Sequence, residues 1–203
     1  MRKIVLFVLA ILISACVYSQ AKSPKTIANL KAGIKGETTA SAKYAAFAKK
    51  AMEEGKKEIA KLFEAASKAE AIHASNHTKV LEGMGEKMDE FTPKFEVKST
   101  AENLKSAIDG ENYEVSTMYP QFLKDAADEN VERAQRTFRW AFETEKKHSQ
   151  FYTAALQALK AGTENMLPKS YMICPVCGNT YDSAKADPNC AFCGTPKARF
   201  IVV

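Results

Sequence analysis

Apolar residues recur at steps of three and four along most of the chain. Tyr44, Phe47, Ala48 and Ala51 form one such stripe, and Ile59, Leu62, Phe63 and Ala66 form another. Residues so spaced share one face of an α-helix. The positions between them carry mostly Lys, Glu and Ala, which favour helix. Gly55 breaks the first stripe, Gly83 and Gly85 close the second, and Pro93 lies in the linker that follows. Ser99 and Thr100 are suited to cap a third helix. That helix runs to Asn130, with Pro120 expected to kink it. A fourth helix reaches Gly162. Nothing between Thr26 and Gly162 alternates as a strand would.

The helical region repeats itself. Thr26, Asn29, Leu30, Lys31, Ile34, Gly36 and Glu37 return 74 positions later as Thr100, Asn103, Leu104, Lys105, Ile108, Gly110 and Glu111. From there the offset is 75: Tyr44, Phe47, Ala51, Glu54, Phe63, Glu70 and His73 return as Tyr119, Phe122, Ala126, Glu129, Phe138, Glu145 and His148. Two helical hairpins related in this way predict a mainly α protein, a four-helix bundle with pseudo-twofold symmetry. The linker 84–98 reaches about 50 Å when extended, against about 39 Å for a helix of some 26 residues. It can therefore cross the bundle from end to end, as in ferritin-like folds.

The N-terminal pattern is different. Arg2 and Lys3 precede ten unbroken apolar residues, Ile4 to Ile13, followed by Ser14, Ala15 and Cys16. This reads as an export signal over residues 1–21, too short for a comfortable bilayer span. Ile13-Ser14-Ala15-Cys16 resembles a bacterial lipobox, with cleavage before Cys16. Cleavage after Ala21 is the competing reading. Either predicts an exported protein, periplasmic or anchored to a membrane only through lipid on Cys16. The formal charge of +5 includes Arg2 and Lys3, and the rest is scattered without the basic stripe that nucleic-acid binding needs.

The chemistry sits on the repeat. Glu70-Ala71-Ile72-His73 and Glu145-Lys146-Lys147-His148 are both Glu-x-x-His, and residues three apart on a helix share a face. Di-iron bundles combine two such motifs with one Glu from each remaining helix, for which Glu37 and Glu111 are the natural candidates. All four glutamates lie roughly 22–28 Å from their interhelical turns, so they converge on one layer. One Glu-x-x-His alone reads as a solvated helix face. Two at equivalent positions, using two of only three His, point to a metal centre. Oxygen and imidazole ligands suit iron or manganese, with zinc also open. His77 reads as a surface or supporting residue. Glu114 has Ala40 as its counterpart and is either exposed or a fifth carboxylate. A fifth would give a site of charge −1 with two Fe(III) and an oxo bridge or with two Fe(II), and a constant charge is easier to bury. Tyr44 and Tyr119 are either ordinary core or hydrogen-bond donors to the ligands.

Of five cysteines, four crowd into the tail as Cys174-Pro-Val-Cys177-Gly and Cys190-Ala-Phe-Cys193-Gly. Two such knuckles predict a tetrahedral four-thiolate site whose metal contributes the folding energy of a short module. Spacing alone leaves zinc, iron and two disulfides open. Beside a di-iron bundle, iron serving as an electron relay is the expectation. The domains expected are a bundle over 22–166 and the metal-held module over 167–203.

Gly36-Glu37, Glu70-Ala71-Ile72-His73, Gly110-Glu111-Asn112-Tyr113-Glu114, Met118-Tyr119-Pro120, Glu145-Lys146-Lys147-His148 and both Cys knuckles together resemble the rubrerythrin family: a ferritin-like di-iron bundle followed by a rubredoxin-like domain. The likeness runs from Thr26 to Phe200. It implies a non-haem peroxidase that reduces hydrogen peroxide to water in oxidative-stress protection. Its cofactors would be an oxo-bridged di-iron centre and one mononuclear iron, held by the four tail cysteines, that returns electrons. It implies that Glu70 and Glu145 bridge the irons, that Glu37 is terminal on one and that Glu111 and His148 are on the other. Glu114 and His73 would exchange on the first iron, and Tyr44 and Tyr119 match family tyrosines. A ferroxidase or ferritin-like iron store is the alternative, and a zinc-loaded structural protein a third reading. The resemblance further implies a head-to-tail homodimer or higher homo-oligomer. Chain geometry agrees: Gly162 lies 14 residues beyond His148, about 21 Å along the helix, so the tail begins far from its own centre. Two departures stand out. The export signal means that the electron donor, unidentified here, is not assumed to be a cytoplasmic reductase. Ala191 stands where the family often has Pro.

Overall fold

The structure is a computed structural model and describes residues 23–203. The segment expected to be an export signal, with Cys16, lies outside the described residues. Helix α1 spans Pro24–Glu53 and α2 spans Lys57–Gly83. Helix α3 (Thr100–Tyr113) runs through a π-helical turn, Glu114–Met118, into α4 (Tyr119–Asp128), and α5 spans Glu132–Ala161. Counting α3 and α4 as one rod gives the four-helix bundle. Among the described residues no helix is long and apolar enough to cross a membrane.

The duplication extends to the backbone. The α1–α2 turn closes with Lys56 N–H on Ala51 O and Gly55 N–H on Met52 O. The α4–α5 turn closes with Val131 N–H on Ala126 O and Asn130 N–H on Ala127 O, with Gly55 and Asn130 both left-handed. The repeated glutamates act across the halves. Glu129 accepts from Thr26 N at the start of α1, and Glu54 accepts from Thr100 N at the start of α3. A carboxylate on an otherwise unpaired helix N-terminus is worth about 1 kcal/mol. Because Glu54 sits at the α1–α2 turn, α3 must begin there. The linker from α2 therefore travels the length of the bundle, as its length permits. Ser99 and Glu102 complete a capping box at the start of α3.

The segment expected to kink contains a π-turn. The repeat offset grows by one residue between Glu111 and Tyr119, which is where the π-turn lies; Tyr119 N–H reaches back five residues to Glu114 O. A π-turn takes up one inserted residue without ending the helix. The insertion lies just before Pro120, the second residue of α4.

Two apolar clusters flank a polar layer. One contains Tyr44, Phe47, Phe63 and Tyr152 beside the α1–α2 turn, and the other contains Leu30, Tyr119, Phe122 and Phe138 beside the α4–α5 turn. The tail folds as a three-stranded antiparallel sheet in the order β2-β1-β3, with β1 Tyr171–Ile173, β2 Thr180–Asp182 and β3 Ile201–Val202. Tyr171 and Ile173 join the first bundle cluster, and Trp140 of α5 packs against the cysteine module. The expectation of a tail remote from its own centre is corrected here. Residues 163–178 run back along the bundle far enough to offset the 14 residues of α5 beyond His148, and the first knuckle comes to rest on the polar layer.

Candidate metal centres

Glu37 on α1, Glu70 and His73 on α2, Glu111 on α3 and Glu145 and His148 on α5 are all buried in that layer. They form two groups. Glu37, Glu70, His73 and Glu145 present one ligand atom each within 4.8 Å of one another, and so do Glu70, Glu111, Glu145 and His148. Glu70 and Glu145 belong to both. Glu70 places Oε2 3.0 Å from His73 Nδ1 and Oε1 3.1 Å from His148 Nδ1. Glu145 places Oε1 2.9 Å from His73 Nδ1 and Oε2 2.8 Å from His148 Nδ1. Each of these carboxylates thus offers one oxygen to each position, the arrangement a bridging ligand requires. Glu37 Oε2 lies 3.8 Å from His73 Nδ1, and Glu111 Oε1 lies 3.9 Å from His148 Nδ1, one at each end.

The donor set fits two hard cations. Glu37 Oε2, Glu70 Oε1, both Glu145 oxygens and His148 Nδ1 are buried without a partner in hydrogen-bonding geometry, which is costly unless a metal takes that place. Without cations the groups share protons. Burial, then Glu70, pushes Glu37 up to about 8, and burial and neighbouring carboxylates raise Glu111 and Glu114. Burial opposes charge on His148, but Glu70 and Glu145 outweigh it and lift it to about 9. Burial also opposes charge on Glu70, and His148 outweighs that, holding it at about 2. Divalent cations would displace these protons.

Both tyrosines bind ligands. Tyr44 donates to Glu111 Oε1 at 2.7 Å, and Tyr119 donates to Glu37 Oε1. Glu114 is half-buried on the π-turn. Burial, then Glu37, Glu145 and Glu70, raises its pKa, but it lies outside both four-residue groups, and His73 completes the Glu37 side. His77 is not a surface residue. It is wholly buried, with Nδ1 2.9 Å from Thr137 Oγ1 and Nε2 3.1 Å from the Tyr119 hydroxyl. Its spacing of four from His73 signalled a shared face, but not depth.

In the tail Cys174, Cys177, Cys190 and Cys193 are free thiols whose sulfurs lie within 4.8 Å of one another, with two pairs at 3.4 Å. A disulfide needs about 2.05 Å, whereas a tetrahedron with metal–sulfur bonds of about 2.3 Å has edges near 3.8 Å. The disulfide option is therefore set aside. Backbone N–H groups of Val176 and Cys177 point at the Cys174 sulfur, and that of Asn179 points at Cys177.

The two centres meet through residues the sequence did not flag. Thr180 Oγ1 lies 2.9 Å from His148 Nε2 and donates onward to Gly178 O. His148 therefore donates from Nε2 and keeps Nδ1 free for a metal. Lys147 Nζ donates to Asn179 Oδ1, and Asn76 Nδ2 donates to Val176 O. Gly178, directly after Cys177, sits so close to His73 that a Cβ there would lie 2.3 Å from Nε2.

The rubrerythrin family model matches residues 28–156. The chain is 36% identical to nigerythrin from Nitratidesulfovibrio vulgaris, covering 86% of this chain and 85% of that one. It is 33% identical to rubrerythrin-2 from Clostridium acetobutylicum, covering 88% and 97%. Among solved structures, mixed-valence nigerythrin superposes with a TM-score of 0.79 at 37% identity over 88% of this chain and 86% of the other. The fully reduced, all-ferrous nigerythrin also gives 0.79, at 33% identity over the whole of both. The chain is a ferritin-like bundle bearing the paired Glu and His residues of a di-iron site, with a four-cysteine cluster in its tail, and it belongs to the rubrerythrin family.

Proposed function

We propose that the chain is an oxidoreductase that reduces hydrogen peroxide to water at a di-iron centre. Electrons enter through a rubredoxin-type iron at Cys174, Cys177, Cys190 and Cys193. The observation that carries this reading is the contact of Gly178 with His73, which places one cysteine ligand a single residue away from a candidate di-iron ligand. When bound, the two irons would supply the electron pair that cleaves the O–O bond, and the cysteine-held iron would return electrons one at a time, two passes per peroxide, from an external donor.

Glu70 and Glu145 would span both metal positions, with Glu37 and His73 on one side and Glu111 and His148 on the other. By the family resemblance, Glu114 would be the ligand that replaces His73 when the oxidation state changes. Tyr119 takes up Glu37 Oε1 and leaves Oε2 for a metal. Thr180 fixes the His148 tautomer. Burial of all six ligand residues outside the π-turn keeps bulk water from them.

The relay as drawn runs within one chain. A head-to-tail homodimer would make the same junction between chains. Mixed dimers, each chain lacking a different site, separate the two: recovered activity supports exchange, and no recovery supports the contact within the chain. The protein would act outside the cytoplasm with an electron donor found there, and loss of lipid labelling in Cys16→Ala tests the anchor.

A visible spectrum and stopped-flow mixing test the function. Iron-loaded protein should show the red Fe(III)–thiolate absorption, whereas zinc-loaded protein is colourless. The fully reduced protein should then be oxidised faster by peroxide than by oxygen. The reverse order would favour a ferroxidase and sink the proposal.

A further inference from the structure

The duplication gives residues around the di-iron layer a counterpart 75 positions away, and two of the mismatched pairs bear on the hydrogen bonds behind the ligands. Tyr44 matches Tyr119, but His77 corresponds to Tyr152 and Thr137 to Leu62. On the Glu37 side three polar groups stand in line behind the ligand. Thr137 Oγ1 lies 2.9 Å from His77 Nδ1, His77 Nε2 lies 3.1 Å from the Tyr119 hydroxyl, and that hydroxyl donates to Glu37 Oε1. On the Glu111 side Tyr44 donates to Glu111, but Leu62 is apolar and the buried Tyr152 hydroxyl has no hydrogen-bond partner.

The direction of the first line follows from counting donors. The Tyr119 proton is committed to the carboxylate, so its oxygen can only accept from His77. Nε2 must then carry the ring proton, and Nδ1 must accept from the Thr137 hydroxyl. Burial, then the neighbouring His73, pushes His77 down to about 3, in keeping with a neutral ring. The fold reserves space for that ring: a Cβ on Gly33 would lie 3.1 Å from His77 Cδ2.

We infer that His77 is a positioning residue of the reaction, its Nε2–H bracing the Tyr119 oxygen so that the hydroxyl stays a donor aimed at Glu37. Peroxide reduction consumes two protons for each O–O bond broken. The bundle thus offers one aimed hydroxyl on the Glu37 side, while Tyr44 on the other has no brace. The two metal positions are chemically unlike although Glu37 matches Glu111 and His73 matches His148. The inference rests on the peroxidase reading only for its effect on rate.

Its first test involves no turnover. In the zinc-loaded full chain labelled with 15N, His77 should be the Nε2–H tautomer. A ring protonated at Nδ1 alone would overturn the inference. The second test is single-turnover oxidation of the fully reduced, iron-loaded protein by peroxide. His77→Phe keeps a buried ring and removes both nitrogens. It should slow oxidation about 10–100-fold, the usual cost of losing a group that orients a ligand, with iron content and thiolate absorption unchanged. His77→Gln, which can donate to Tyr119 while accepting from Thr137, should recover most of the rate. A His77→Phe rate equal to the native rate overturns the inference, and so does a His77→Gln as slow as His77→Phe, since packing alone would then explain the loss. If the native protein reacts no faster with peroxide than with oxygen, the peroxidase reading fails, while the tautomer still tests the brace.

Discussion

Replacing Gly178 by Ala tests the junction between the two metal centres, and the fold supplies its own control. Gly178 and Gly194 occupy the same place in the two knuckles and share a left-handed backbone, with φ of 80° and 74°. Alanine costs about 1–2 kcal/mol in that conformation at either position. The difference lies in what a Cβ meets. At Gly194 there is nothing within 4 Å, whereas at Gly178 there is His73 Nε2 at 2.3 Å and Ala69 O at 3.2 Å. Ordinary contact begins near 3.4 Å, so Gly178→Ala requires a displacement of roughly 1 Å. His73 is hemmed in by Glu70 and Glu145, so the knuckle yields instead. A misplacement of about 1 Å at a reacting contact can cost on the order of 100-fold in rate. The assay is stopped-flow absorbance of the fully reduced protein after a pulse of peroxide, following thiolate-iron reoxidation separately from the di-iron step. Gly178→Ala should leave the di-iron step near native and slow thiolate-iron reoxidation about 10–100-fold relative to Gly194→Ala. Equal relay rates in the two variants would refute the junction.

Other outcomes follow from the same geometry. Glu145→Gln removes the carboxylate that reaches both positions, so metal analysis should find both di-iron metals weakened by about 10–100-fold in affinity while the red thiolate absorption persists. The chelator-stripped chain should lose stability as pH rises. Glu37 keeps its proton in the fold up to about 8 and His148 keeps its own to about 9. Folding therefore holds extra protons between about 4.5 and 9, and their contribution is lost across that window, while Glu70, held at about 2, acts only below 4.5. Thermal melts from pH 5 to 9 should fall in chelator and stay nearly level with metal loaded; a rising curve in chelator would contradict the assignment. Glu54→Ala and Glu129→Ala each remove a carboxylate from the first turn of a helix in the other half. Each should cost about 1 kcal/mol, a drop in Tm of about 2–4 °C.

The ligands were legible because helix geometry is rigid. Once Gly55 and Asn130 mark the turns, a rise of 1.5 Å per residue fixes the height of Glu37, Glu70, Glu111 and Glu145 without further information. The π-turn was legible too, in a signal that pointed elsewhere. The offset change from 74 to 75 is one inserted residue, which a continuous helix absorbs as a wider turn, while Pro120 drew attention to itself. The burial of His77 and the return of the tail were not legible. Spacing gives a helix face but not what covers it, and the distance along α5 says nothing of the path taken by residues 163–178. Thr180 and Asn179 carry no metal-ligand chemistry, so nothing in the sequence marked them as the groups that join His148 to the cysteine module.

Where the halves agree and where they differ divides binding from direction. The paired glutamates, the Glu-x-x-His motifs, the tyrosines donating to Glu37 and Glu111 and the reciprocal caps from Glu54 and Glu129 are matched, because two cations sharing two carboxylates need equivalent ligands on either side. The departures include Glu114 against Ala40, His77 against Tyr152 and Thr137 against Leu62, and the last two set polar groups behind Glu37 on one side only. The tail reinforces the inequality, since Gly178 abuts His73 while Thr180 fixes His148. A symmetric bundle would hold two metals equally well and give neither electron nor proton a preferred side. On the peroxidase reading, the substitutions that break the repeat, together with one inserted residue, would supply that preference while the repeated Glu and His residues stay matched.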